Sequence, residues 1–204
     1  MITADMLDRR WPRAPHSLVD AIVGSAPTAL AKFEITTPLR LAHFLAHASV
    51  ECAGGTTLEE NLNYSAERLH AVWPMRFPTI GSAQPYAHNP RFLADKVYDG
   101  RMGNRAGTDD GWNYRGRGLI DITGAAMYER VGKAAGVDLE GNPGFASAPE
   151  TALAVAAALW KLSSANYFAD RDEIRAETKV INGGLTGLAD REAWLKVWKR
   201  ELEL

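Results

Sequence analysis

The chain has 204 residues, 46% of them hydrophobic, a length that supports a buried core and reads most simply as one domain. Its 23 basic and 25 acidic side chains leave a net charge of -2, which supplies none of the basic surface that marks a nucleic-acid binder; the single cysteine, Cys52, excludes an intrachain disulfide and a cysteine-only zinc site. The N-terminus lacks a basic start leading into an apolar run, and no stretch reaches the ~20 apolar residues of a membrane span, so cytoplasmic synthesis and no integral membrane segment are expected.

Helix signals are assigned from Thr37 onward. Thr37-Pro38 supplies a cap and a first-turn proline for a helix from Leu39 to Ala53, with Leu41, Phe44, Leu45, Ala48 and Cys52 on one apolar stripe and Gly54-Gly55 as its stop. Asn63 or Ser65 caps a short helix through Trp73, ended by Pro74, and Asn89-Pro90 opens another through Val97 or Tyr98. From Asp99 to Gly118 the regularity breaks: six glycines mix with Arg101, Arg105, Arg115, Arg117, Asp109 and Asp110. A loop of that length inside a compact domain is functional or disordered. Trp112 and Tyr114 argue for order, and a flat aromatic face suits a sugar ring. Thr123 is placed as the cap of a helix over 124–135, with Gly136 at its stop. Pro149 to about Ala165 is alanine-rich and apolar on most sides through Leu153, Ala156, Ala157, Trp160 and Leu162, which predicts a central helix. Asp172–Ile181 and Leu188–Leu202 complete the set. No run alternates with period two, and there is no repeat, heptad array or linker. The predicted fold class is mainly α, with room for one small β-hairpin.

Two carboxylates draw the chemistry together. Glu51 ends an apolar helix beside a Gly-Gly turn that lets a backbone or a substrate approach; partial desolvation there would keep a carboxyl protonated and able to donate to a leaving oxygen. Glu60 sits among Asn61 and Asn63, which suits an ionised base that activates water. One protonated and one ionised carboxyl held apart are the minimum equipment for cutting a glycosidic bond. The plainer alternatives are a helix-ending or arginine-paired Glu51 and a solvated Glu60 like its neighbour Glu59. His43, His47 and Glu51 stand at i, i+4, i+8 and raise a metal site, but Phe44 occupies the place after the first histidine where a zinc-protease helix has glutamate. No metal and no cofactor are therefore expected. Asn182-Gly183-Gly184 reads as a helix stop, Arg191 as a helix-surface residue, and Trp194 with Trp198 as core contacts.

Four ordered blocks then resemble glycoside hydrolase family 19, the chitinase-like enzymes, and are most similar to its phage endolysin branch. They are Phe44-Leu45-Ala46 to Glu51 with Gly54-Gly55; Glu60-Asn61-Leu62-Asn63-Tyr64-Ser65-Ala66; Tyr114-Arg115-Gly116-Arg117-Gly118-Leu119-Ile120 with Thr123-Gly124; and Ile181-Asn182-Gly183-Gly184 with Arg191. The resemblance covers about residues 38–200. It implies a lysozyme-like, two-lobed helical fold with a cleft between the lobes, and single-displacement hydrolysis that inverts the anomeric carbon. By position, Glu51 matches the general acid, Glu60 the general base, and Thr123 the hydroxyl residue that helps hold the water. Asn182 and Arg191 match supporting polar positions near the base and the bound sugar, where an arginine near Glu60 would keep it ionised; with Tyr64, Trp112, Tyr114, Arg117 and Asp121 they are the candidates for substrate contact. An inverting pair needs a gap of roughly 6.5–9.5 Å or more to admit water. The chain departs from the family where Asp121 stands for the common glutamine, Met127 for asparagine, Val50 for histidine and His47 for glutamine; Asp121 close to Glu60 would couple their titrations.

The expected function is hydrolysis of β-1,4 bonds in peptidoglycan glycan strands by a monomeric phage or prophage endolysin without a separate wall-binding module. It would be made in the host cytoplasm and reach the wall or periplasm after membrane permeabilisation. A chitinase acting on β-1,4-linked N-acetylglucosamine is the alternative, because both polymers offer the same bond. A non-catalytic wall-binding protein and a metal hydrolase built on His43 and His47 are the other classes weighed.

Overall fold

The computed structural model describes residues 2–204. Its α-helices run, in chain order, α1 (Ala4–Arg10), α2 (His16–Lys32), α3 (Pro38–Glu51), α4 (Ala66–Val72), α5 (Ile80–Ala83), α6 (Pro90–Tyr98), α7 (Asp110–Asn113), α8 (Ala125–Ala135), α9 (Pro149–Leu162), α10 (Ala165–Ala169), α11 (Ile174–Asn182) and α12 (Leu188–Glu201). The local signals explain the boundaries. Thr37 Oγ1 accepts the Arg40 amide at 3.2 Å to start α3, and Ser65 and Asn89 cap α4 and α6 in the same way. Gly136 and Gly183 end α8 and α11 in the left-handed conformation. The start of α8 corrects one expectation: Gly124 holds the cap position and no side chain caps the helix, so the Thr123 hydroxyl is not spent there.

α3 and α9 form the centre. Every residue of α3 from Leu41 to Ser49 is buried, and α9 buries Ala152, Leu153 and the whole run Val155–Trp160. α2 packs along α9, and α12 along α3. α1 and α2 lie outside the helices expected from the sequence, and α2 carries Gly24 and Pro27, which weaken a helix interior. Both are exposed, and the stripe Leu18, Val19, Ile22, Ala26, Ala29 and Leu30 is what holds α2 in place. The Gly54-Gly55 turn serves this N-terminal segment rather than a ligand: a Cβ on Gly55, at φ +79°, would stand 2.7 Å from Ala14 Cβ and 3.2 Å from the Trp11 ring.

A second, smaller core gathers Leu62, Ala66, Leu69, Phe77, Ala83, Leu93, Ala94 and Val97 from α4–α6 and their connections, with Tyr64, Trp73, Tyr98 and Trp112 packed against it. The two cores make two lobes. Between them the segment after α3 meets the glycine-arginine loop. Gly118 N–H donates to Leu58 O at 3.0 Å, Glu60 N–H donates to Gly116 O at 3.0 Å, and Arg117 and Ile122 exchange both backbone bonds across a tight turn. The hairpin allowed by the sequence is thus reduced to single antiparallel bridges, Glu59 with Arg117 and Arg117 with Ile122. These few bonds fix where Glu60 and Asp121 stand.

Candidate active site

Three carboxyl groups meet where the lobes join. Glu51 closes α3; its side chain is 17% exposed, and one oxygen, Oε1, accepts from Arg191 Nη2 on α12. Glu60 is held at both oxygens. Oε1 accepts the Gly116 amide at 2.7 Å, and Oε2 accepts the hydroxyl of Tyr98, the last residue of α6, at 2.8 Å. Burial first, then the charge of Glu60, pushes the Tyr98 pKa well up, so the phenol remains a donor to that carboxylate. Asp121 is the third member. Its Oδ2 and the Glu60 Cδ lie 3.2 and 3.4 Å from the point a Cβ on Gly116 would occupy, so the missing side chain is what admits both carboxyls. Asp121 is exposed to solvent, although protein packs closely around its carboxyl. Burial, then the like charges of Glu51 and Glu60, pushes its carboxyl up to about 7.

The structure relocates several residues singled out in the sequence. Arg191 is 1% exposed rather than on a helix surface, and it pairs with Glu51, not with Glu60. Arg117 is buried, with Nη1 donating to Asn113 O at 2.7 Å and to the Tyr128 hydroxyl at 3.1 Å; Nε lies 3.2 Å from Glu59 Oε1 but makes no hydrogen bond. Glu59 is not a free surface carboxylate, since it also pairs with Arg115 and accepts from Ser147 Oγ at 2.9 Å. Tyr114 packs edge-on against Tyr128, and its hydroxyl donates to Glu140 O at 3.2 Å. Trp112 lies under the Arg115 guanidinium, 3.8 Å from its ring centroid, and Tyr64 packs edge-on against Trp73. Asn182 is exposed at the end of α11, its side-chain amide 3.4 Å from Thr186 O. Thr123 is half-buried two residues before α8. Tyr98 was not anticipated, although it stands four residues after buried Ala94 on the inward face of α6.

The histidines of α3 do not converge with Glu51. His43 and His47 turn to Glu177 on α11, while Glu51 turns to Arg191, and among the described residues no His, Cys, Asp and Glu group is arranged to hold a metal ion. A hollow of ≈ 440 Å³ lined by Trp11, Arg13, Val50 and Trp194, and one of ≈ 670 Å³ lined by Tyr86, Phe92 and Lys96, hold neither Glu51 nor Glu60. Chemistry rather than depth identifies the site.

Asp121 yields a pH prediction. Its folded pKa of about 7 stands above the ordinary 3.8, so between those values the folded chain keeps a proton that the unfolded chain has released. Stability therefore falls as pH rises through that window, and the penalty is complete above about 7. Asp121→Asn removes the titrating group and is expected to raise Tm more at pH 8 than at pH 5. Melting curves of both proteins at the two pH values check this, and an equal offset at both would refute it.

Comparison with known proteins gives a consistent outcome. No family model matches the chain. A Haemophilus influenzae protein described as a glycosyl hydrolase family 19 domain-containing protein is 32% identical over 192 residues, 94% of this chain and 92% of that one. Among solved structures, chitinase C of Streptomyces griseus superposes with a TM-score of 0.60 at 17% identity, covering 99% of this chain and 92% of the other. The class IV family 19 chitinase of Zea mays gives 0.61 at 15% identity, covering 100% and 93%. A bacterial family 19 chitinase gives 0.61 at 19% identity, covering 100% and 95%. At these identities the superpositions establish the fold.

Proposed function

The chain belongs to glycoside hydrolase family 19, and from that premise we propose that it hydrolyses the β-1,4 bonds of peptidoglycan between N-acetylated amino sugars, as a phage or prophage endolysin that releases progeny from its host. The observation that carries the reaction is the differently held pair, Glu51 gripped at one oxygen and Glu60 at both. The likeness of the four sequence blocks to the endolysin branch supports the substrate. So does the lone Cys52, which leaves the fold without a disulfide, as suits a protein that matures in a reducing cytoplasm. In this reading the chain is a single-domain monomer that reaches the wall after the membrane is permeabilised. No described helix is long and apolar enough to cross a membrane by itself.

The chemistry follows from the contacts. Arg191 engages Oε1 of Glu51, which leaves Oε2 to carry the transferable proton. That proton passes to the glycosidic oxygen as the bond to the anomeric carbon breaks. Glu60, whose oxygens accept from two donors, takes a proton from a water whose oxygen bonds the anomeric carbon from the opposite face. The half-buried Thr123 hydroxyl is the group assigned to orient that water. Solvent then returns the proton from Glu60 to Glu51.

A chitinase is the second reading, favoured by the fold shared with proteins called chitinases. Digestion of purified peptidoglycan and colloidal chitin in parallel, with mass spectrometry of the products, separates the two. Muropeptides are expected, and chitin oligomers alone would replace the first reading by the second. The new reducing ends are expected as the inverted, α anomer at early times by proton NMR. Initial release of the β anomer would exclude single displacement.

A further inference from the structure

Arg191 spends every arm of its guanidinium inside the protein. Nε donates to His47 Nδ1 at 3.1 Å, Nη1 to Thr186 O at 2.9 Å, and Nη2 to Glu51 Oε1. Behind this fork lies a polar cluster that the reaction does not use. His43 and His47, on successive turns of α3, are both 0% exposed and both face one atom, Oε2 of Glu177, at 2.8 Å from His43 Nδ1 and 3.1 Å from His47 Nε2. Glu177 is itself 0% exposed, and its Oε1 has no partner. His43 Nε2 lies 2.9 Å from Asp172 Oδ1, and Asp172 pairs with Lys199.

A carboxylate buried with an unsatisfied oxygen is unfavourable for packing alone, where an apolar residue would serve better. What Glu177 does is fix a tautomer. Arginine Nε–H only donates, so His47 Nδ1 is bare and the ring proton sits on Nε2, aimed at Glu177. A doubly protonated ring would set two donors against each other at Arg191. The charged groups facing His47 are Glu177 from α11, Arg191 from α12 and Glu51 from its own helix; Trp160 of α9 stands edge-on, 5.6 Å between centroids. Burial, against the pull of Glu177, holds the His47 ring below its ordinary value and so keeps it neutral.

We propose that His47 is a positioning residue for the acid: locked in one tautomer by Glu177, it accepts from Arg191 and thereby fixes the guanidinium that orients Glu51. Its consequence for rate rests on the glycosidase reading above, whereas the tautomer does not. His47→Leu fills the space but cannot accept, while His47→Gln offers an amide oxygen to Arg191 and an amide N–H to Glu177. In His47→Leu, kcat on peptidoglycan is expected to fall about 10-fold or more with KM unchanged, because His47 touches no substrate and only the geometry of the acid is lost. His47→Gln is expected to recover most of that loss at similar thermal stability. Parental kcat in His47→Leu, or equal losses in both variants that follow Tm, would overturn the proposal. Long-range proton–nitrogen correlation NMR of the resting parent is expected to show Nε2–H and a bare Nδ1. The opposite tautomer or a doubly protonated ring overturns the proposal whatever the activity. A parent that cleaves neither polymer would instead refute the glycosidase reading, with the tautomer still deciding the network.

Discussion

Glu51→Gln is expected to lower glycan hydrolysis at least ~100-fold, the contribution typical of a positioned acid, while leaving binding to the wall polymer near the parental level. The amide is nearly isosteric and its oxygen keeps an acceptor for Arg191 Nη2, but it carries no transferable proton. Some stability should go with the activity. The Arg191 side chain is 2% exposed and exchanges its carboxyl partner for an amide; removing a fully buried partner outright costs about 3–5 kcal/mol. Here water reaches the 17% exposed Glu51 side chain and the amide remains, so the loss should fall below that range. Reducing-end release at saturating substrate, co-sedimentation with purified walls and a melting curve separate the three quantities. Near-parental turnover would remove Glu51 from the acid role, and a parent that binds walls without turnover would make the chain a non-catalytic binder.

The helices around the site were legible where their signals are local. Thr37-Pro38, Ser65, Asn89-Pro90 and Gly136 each act within one turn of the chain, and the structure places helix ends at each of them. α2 was not legible, because its stability comes from a stripe pressed on α9, more than a hundred residues later in the sequence, rather than from its propensity. Arg191 shows the limit differently. It stands in phase with Leu195 and Trp198 at i, i+4 and i+7, and these three are the buried residues of α12. The sequence reading nevertheless puts it on the helix surface, because a charge on an inward face is interpretable only when its partners are known, and its counter-ion comes from α3. Asp121 was visible as a departure from the family. Its place beside Glu60 depends on the Arg117–Ile122 turn, whose pairing no strand pattern announces.

Glu60→Gln is expected to cost as much as the change at Glu51, at least ~100-fold in rate, and to leave the fold intact for a reason specific to its two partners. The Gly116 amide can only donate, so the glutamine oxygen must face it; the amide NH2 then faces Tyr98, whose hydroxyl can turn from donor to acceptor. Both contacts survive, and the loss of rate reports the missing base rather than a collapsed site. The charge does not survive, and that has its own signature. Glu60 is one of the two like charges that, after burial, hold Asp121 at about 7, so in Glu60→Gln the Asp121 carboxyl is expected to titrate lower. A lower folded value narrows the pH window over which ionising Asp121 destabilises the protein, so Glu60→Gln should lose less stability than the parent between pH 5 and 8. Carbon-13 NMR of the Asp121 carboxyl follows the titration directly. Parental activity would remove Glu60 from the base role, and an unmoved Asp121 would show that the carboxyls of the cleft titrate independently. Glu51→Gln removes the other like charge, so the same titration in that variant apportions the shift between the two and tests whether Asp121 stands between them.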